Sequence, residues 1–237
     1  MPNSFFSFKQ FTINQGDCAM KVTTDSCLFG AWVSQYGSAG KVLDIGTGTG
    51  LLSLMYAQQK SLTVIDGVEL DADAAKQASE NVASSPWPNA IAITHHNIIN
   101  FKPAYHYDTI ISNPPFYQQQ LISSNEKKNT AHHSSHLSLP ELFQNVDRLL
   151  KSDGYFFVLQ PWSRTDEAIT TAESFFLFPI TIVRVKQTPQ HQYFRTMLQF
   201  SRTKGTAIKE QEIIIEIERG KYSEAFIELL KYYYLYL

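Results

Sequence analysis

The 237-residue sequence has only two cysteines, Cys18 and Cys27. They lack metal-ligand spacing, which argues against a zinc site and against a disulfide-stapled secreted fold, so two reduced thiols are expected. Long apolar runs are missing as well. Nothing approaches the roughly 20 residues of a membrane-spanning helix, and the opening "MPNSFFSFKQ" has neither the basic start nor the long apolar stretch of a secretory signal. The sequence therefore places the chain in the cytoplasm. Charge of one sign is not in surplus: 20 basic and 22 acidic residues give a formal net charge of -2, so the total does not announce a nucleic-acid partner. No internal repeat, low-complexity segment or linker interrupts residues 1–237, and one domain is the simplest count. At 43% hydrophobic and 18% charged residues, the chain has the composition of a globular protein with a substantial core.

What is present is an alternation of short apolar runs with helical patterns, the signature of crossover units on a mostly parallel sheet. "KVLDI" (41–45), "TVIDGVEL" (63–70), "AIAITHH" (90–96), "YDTIIS" (107–112) and "GYFFVLQ" (154–160) read as strands. "GLLSLMYAQQ" (50–59), "DADAAKQASENVAS" (71–84) and "LPELFQNVDRLL" (139–150) read as helices, the second starting at an aspartate suited to capping. "PITIVRVKQ" (179–187) and "QYFRTMLQFSR" (192–202) follow each other closely, as an antiparallel hairpin would. Ahead of this lie a strand pair in "SFKQFTINQ" and a helix in "TTDSCLFGAWVSQYG" capped by Thr24 or Asp25; "YSEAFIELLKYYYLYL" (222–237) should be a helix that packs back on the body.

In "DIGTGTG", Gly46, Gly48 and Gly50 alternate strictly between a strand and a helix. Glycines there let the backbone turn sharply and approach a ligand, which the free amides of the helix N-terminus then face. A dinucleotide site spaces its glycines G-x-G-x-x-G around a pyrophosphate. The tighter spacing here suits a smaller ligand without phosphate. Glu69 closes the second strand, where a carboxylate can accept both hydroxyls of a ribose.

"VLDIGTGTG" with "VELD" resembles the cofactor half of the class I S-adenosylmethionine-dependent methyltransferases. The resemblance implies an α/β, Rossmann-like fold: a mostly parallel seven-stranded sheet with a C-terminal antiparallel hairpin and helices on both faces. It also implies that Asp44 and the glycines, with Ile45 and Thr47 among them, face the methionine part of S-adenosyl-L-methionine. Glu69 would hold the ribose, and Leu70, with Asp71 beside it, would border the adenine. The family's acid after the third strand is replaced here by Asn97, followed by Ile98, and an amide oxygen can accept the adenine amine without charge.

"TIISNPPF" (109–116) ends a strand with Asn113, Pro114, Pro115 and Phe116. Neither proline donates a backbone hydrogen bond, so the ladder stops, and Pro114 forces Asn113 out of the helical region and projects its amide from the strand end. The Asn113 side-chain oxygen and the Pro114 carbonyl can then accept both hydrogens of a planar NH2, while Phe116 offers a face for stacking. Asn113 would also border the cofactor. Alignment of two bound reactants supplies about 7 to 11 kcal/mol, more than one hydrogen bond could, so positioning is the expected mechanism and neither metal nor strong base is required. This edge is similar to that of amino-methyltransferases acting on adenine N6, guanine N2 or glutamine N5.

"FTINQGDCAMKVTTDSCLFGAW", "ASSPWPN" and "YSEAFIELLKYYYL" resemble the bacterial tRNA1(Val) adenine N6-methyltransferases, from Phe5 to the last residue. The implied partner is tRNA, methylated on the adenosine 3′ of the anticodon, and Thr24 and Asp25 would lie beside the cofactor. Where members carry Ala-Arg-His or Ala-Arg-Tyr after the catalytic edge, this chain has Ala131, His132 and His133. From Ser174 to Lys209 the chain carries bases and no acid, and Arg184, Lys186, Arg195 and Arg202, extended by Lys127 and Lys128, could follow a phosphate backbone. His132 and His133 read as RNA-facing rather than as metal ligands. The alternatives are methylation of another planar NH2, in ribosomal RNA or a release factor, or an RNA-binding module without catalysis.

Overall fold

The structure, a computed structural model, describes residues 3–16, 18, 20–115 and 137–237. An antiparallel pair, β1 (Phe5–Ser7) and β2 (Thr12–Asn14), leads into α1 (Thr24–Tyr36). Crossover units follow: β3 (Gly40–Ile45), α2 (Leu51–Gln59), β4 (Thr63–Glu69), α3 (Ala72–Ala83) and β5 (Ile91–His95), then β6 (Tyr107–Ser112), α4 (Leu139–Leu149), β7 (Leu150–Pro161) and α5 (Thr165–Ser174). The remainder is β8 (Phe178–Lys186), β9 (Tyr193–Ser201), β10 (Lys209–Ile214), the short strands β11 (Glu216–Glu218) and β12 (Lys221–Tyr222), and α6 (Glu224–Leu230).

Among the described residues the main sheet has eight strands, in the order β5-β4-β3-β6-β7-β9-β8-β10. The expected hairpin is present, with β9 antiparallel to both β7 and β8. The eighth strand, β10, was not expected and runs parallel to β8 on the edge. Its sequence, "KEQEII", buries only Ile213, so it carries almost none of the apolar alternation that marks a strand. Helix α5 is faint in the sequence for a related reason: its fully buried apolar residues are the small Ala168 and Ala172, beside a half-buried Ile169. The last helix is shorter than expected, and Tyr233 enters the core from the turns beyond it.

Residues along the central strands alternate between two cores, as the pleat requires. Ile111, Phe157 and Leu159 join Trp32 of α1, Met55 of α2 and Phe226 of α6 on one face. Ile110, Phe156 and Val158 join Leu142 and Phe143 of α4 and Ala168 and Ala172 of α5 on the other. Helix starts are capped by side chains: Asp71 accepts from the Ala74 amide at 2.8 Å, and Ser138 and Glu141 form a capping box at α4. At α1 the cap is Thr23 and not Thr24 or Asp25, because Thr23 exchanges hydrogen bonds with Ser26. Among the described residues no helix is long and apolar enough to cross a membrane.

Candidate active site

The C-terminal ends of β6, β3 and β4 lie side by side. Ile45 pairs with Ser112 on one side and Val68 on the other, so the glycine loop leaves the sheet between Asn113 and Glu69. This is the switch point at which open α/β sheets bind ligands. Gly46 and Gly48 take φ of +71° and +56°, a region L residues rarely adopt, and a Cβ at either would meet nothing within 4 Å. The loop is held from across by Glu69. One carboxylate oxygen accepts the Gly48 amide at 2.9 Å, and the other accepts the amides of Leu70 and Asp71 at 2.8 and 3.0 Å.

Asp44 is fully buried at the end of β3. One of its oxygens accepts the hydroxyls of Thr47 and Ser53 at 2.7 and 2.8 Å; the other, Oδ1, has no hydrogen-bond partner among the described residues. Burial pushes its pKa up to about 6, the two hydroxyls pull the other way, and the charge of Glu69 adds to the rise. The orphan oxygen and the open sides of Gly46 and Gly48 fit a ligand carrying a cationic or donor group.

The remaining residues expected around the cofactor are more committed to their own chain. Ile45 and Thr47 are buried, and Leu70 is exposed. The Asp71 side chain serves as the α3 cap. Asn97 Oδ1 accepts the Ile99 amide at 2.9 Å, capping a short 3-10 turn that includes the buried Ile98, which leaves one lone pair for an incoming donor. Thr24 is exposed, and Asp25 accepts a hydrogen bond from Arg195 Nε at 2.7 Å, tying the start of α1 to β9.

At the end of β6, Ser112 donates its hydroxyl to the Ile45 carbonyl at 3.0 Å and fixes that strand against β3. Asn113 comes next, and its Oδ1 is buried with no partner among the described residues. Pro114 and Pro115 line a cavity of about 160 Å³ together with Leu139, Leu142, Gln160 and Arg164. Phe116, Lys127, Lys128, His132 and His133 lie outside the described residues. The sequence marks Gln160 only as the end of a strand. A polar residue closing "GYFFVLQ" was the signal that could have found it.

The basic run is acid-free only in sequence. β10 brings Glu210 to Arg184 at 2.7 Å and Glu212 to Lys186 at 2.9 Å, while Arg202 pairs with Asp147 at 2.6 Å and Arg195 with Asp25. Each of these four cations therefore has an acid beside it. Among the described residues no group of three or more His, Cys, Asp or Glu could hold a metal ion. Cys18 and Cys27 are both free and buried, and burial pushes the Cys27 thiol up to about 12.

Comparison with known proteins gives this geometry a lineage. The family model of the methyltransferase small domain matches residues 22–160. A Dyadobacter fermentans protein named tRNA1(Val) (adenine(37)-N6)-methyltransferase is 43% identical over 98% of each chain. One of the same name from Flavobacterium johnsoniae is 38% identical over 97% of this chain and 99% of its own. Among solved structures, a predicted O-methyltransferase from Agrobacterium tumefaciens superposes with a TM-score of 0.64 at 15% identity, over 86% of this chain and 95% of that one, a likeness of fold. With the family match spanning more than half the chain and the relatives nearly all of it, the chain belongs to the methyltransferase small-domain family, in the group of the tRNA1(Val) (adenine(37)-N6)-methyltransferases.

Proposed function

We propose that this chain is an enzyme that methylates the N6 amine of adenosine 37 in tRNA1(Val), using S-adenosyl-L-methionine, the reaction named for its relatives. The observation that carries the reading is the buried, unpartnered Oδ1 of Asn113, one residue past the pair that locks β6 to the glycine-loop strand. It is an acceptor already desolvated and aimed by the prolines that follow.

Asp44 Oδ1 suits the cofactor's ammonium, Glu69 its ribose hydroxyls, and the bare backbone at Gly46 and Gly48 its close approach. Ile45, Thr47, Gly50, Leu70, Asp71, Asn97 and Ile98, with Thr24 and Asp25 from α1, complete the surroundings. When bound, S-adenosyl-L-methionine would supply a methyl group on a positively charged sulfur, the carbon–sulfur bond giving way to a carbon–nitrogen bond to the amine. The Asn113 oxygen and the Pro114 carbonyl accept the two amine hydrogens and orient the nitrogen lone pair, Phe116 stacks on the ring, and the surplus proton leaves to water. No step calls for a metal ion. Arg184, Lys186, Arg195 and Arg202, with Lys127, Lys128, His132 and His133, are the groups we assign to the tRNA backbone. A tRNA substrate puts the enzyme in the cytoplasm.

The test is incubation with methyl-labelled cofactor and total tRNA, followed by digestion to nucleosides. Label in N6-methyladenosine that disappears in Asn113→Ala is the expected result. Label in N2-methylguanosine, or an unlabelled tRNA beside a labelled release factor added in a parallel incubation, overturns the choice of amine.

A further inference from the structure

Gln160 has no role in the machinery described so far, yet its surroundings call for a ligand. It is 1% exposed, and among the described residues neither its side-chain oxygen nor its nitrogen has a hydrogen-bond partner. Buried polar side chains are nearly always satisfied, so an amide with both ends unpaired needs an explanation. The polar groups around it are engaged with each other. Its cross-strand neighbour Thr196 shares a 2.8 Å hydrogen bond with the Thr165 hydroxyl. Arg164 grips Glu167 through two bonds of 2.8 Å.

The amide stands beside the edge at which Asn113 would hold a base. Ser112 pairs with Val158, so two residues further along the same strands stand Pro114 and Gln160, and both line the cavity of about 160 Å³. Leu139 and Leu142 of α4 supply apolar walls. Pockets that enclose a whole small ligand start at about 300 Å³. This one suits a flat base alone, with sugar and phosphate left outside.

We propose that Gln160 reads the flipped nucleobase, its amide NH2 donating to the ring nitrogen that neighbours the exocyclic amine. The proposal rests on the reading of Asn113 given above. With both amine hydrogens accepted by Asn113 and Pro114, the adenine positions flanking that amine are N1 and N7, each a bare acceptor. The NH2 of a glutamine amide supplies the donor that either bare nitrogen lacks. An amide kept unpaired for a ligand is also a burden on the fold, and its replacement by an apolar group of similar length relieves it.

The experiment uses whole tRNA with adenosine, 1-deazaadenosine or 7-deazaadenosine at the methylated position, and compares wild type with Gln160→Met. Wild type is expected to lose about 10- to 100-fold in kcat/KM on one of the two analogues, the discrimination of one well-made contact. Gln160→Met is expected to lose a similar factor on adenosine and nothing further on that analogue, with unchanged cofactor affinity and an equal or higher melting temperature. Wild-type kcat/KM for the variant on adenosine overturns the proposal, as do losses from variant and analogue that multiply. A lower melting temperature with weakened cofactor binding assigns the amide a structural role and also overturns it. Should the variant not fold, the wild-type analogue series decides alone: indifference to both analogues sinks the contact. If cofactor-loaded wild type leaves every tRNA unmethylated, the failure lies in the reading of Asn113.

Discussion

Two unpartnered carbonyl-type oxygens, Asp44 Oδ1 and Asn113 Oδ1, stand at the ends of adjacent strands. Each makes its own prediction. Asn113→Ala lowers kcat by about 100- to 1,000-fold, the loss of one preorganised group at a reacting centre, while labelled cofactor still binds; retention of wild-type kcat would remove Asn113 from the chemistry. For Asp44, the sign of the pH dependence follows from its pKa of about 6 in the fold against an ordinary 3.8. The folded chain holds this proton more tightly than the unfolded one, so the fold loses stability as pH rises through that window and changes no further above it. Cofactor affinity runs the opposite way, since an ammonium pairs with the ionised carboxylate: it strengthens as pH rises through about 6 and then levels. Calorimetric titration and thermal melts across this range check both slopes, and Asp44→Asn should flatten both.

Among the elements, α1 and β10 are where sequence and structure part. The run Thr23-Thr24-Asp25 offers three side chains able to cap, and only backbone geometry decides among them; Thr23→Ala should cost about 1 kcal/mol in a denaturant melt and Thr24→Ala much less. The pairs Arg184–Glu210 and Lys186–Glu212 exist because β10 lies in register against β8. Glu210→Gln with Glu212→Gln frees both cations, and filter binding at graded salt should show tighter tRNA binding with a slope steeper by about one to two counterions. An unchanged slope would take this edge out of the RNA surface. The glycine loop and the Asn113 edge were legible because a left-handed backbone and a proline stop restrict which residues are tolerated locally. Gln160 was not, because being unpartnered depends on Thr196 and Thr165 preferring each other, a fact of tertiary packing. The acids opposite the basic run were hidden for the same reason, each lying on another strand or helix.

At the scale of the whole molecule, two cores meet across one sheet, and the proposed site sits where the strands from both faces end. Helix α2, which begins at the glycine loop, packs into one core, and α4, which walls the cavity beside Pro114, packs into the other. The groups that converge there come from β3, β4, β6 and β7, strands adjacent in space and separated along the chain by helices and loops, each paired in parallel with its neighbours in this set. Parallel pairing across long separations is slow because chain entropy is lost before any contact repays it, whereas helices appear within microseconds. Catalytic competence is thus the last property a refolding chain acquires: after dilution from denaturant, helical circular dichroism should recover first, with methyl transfer lagging behind, and fragments cut between β3 and β7 should be inert however helical they remain.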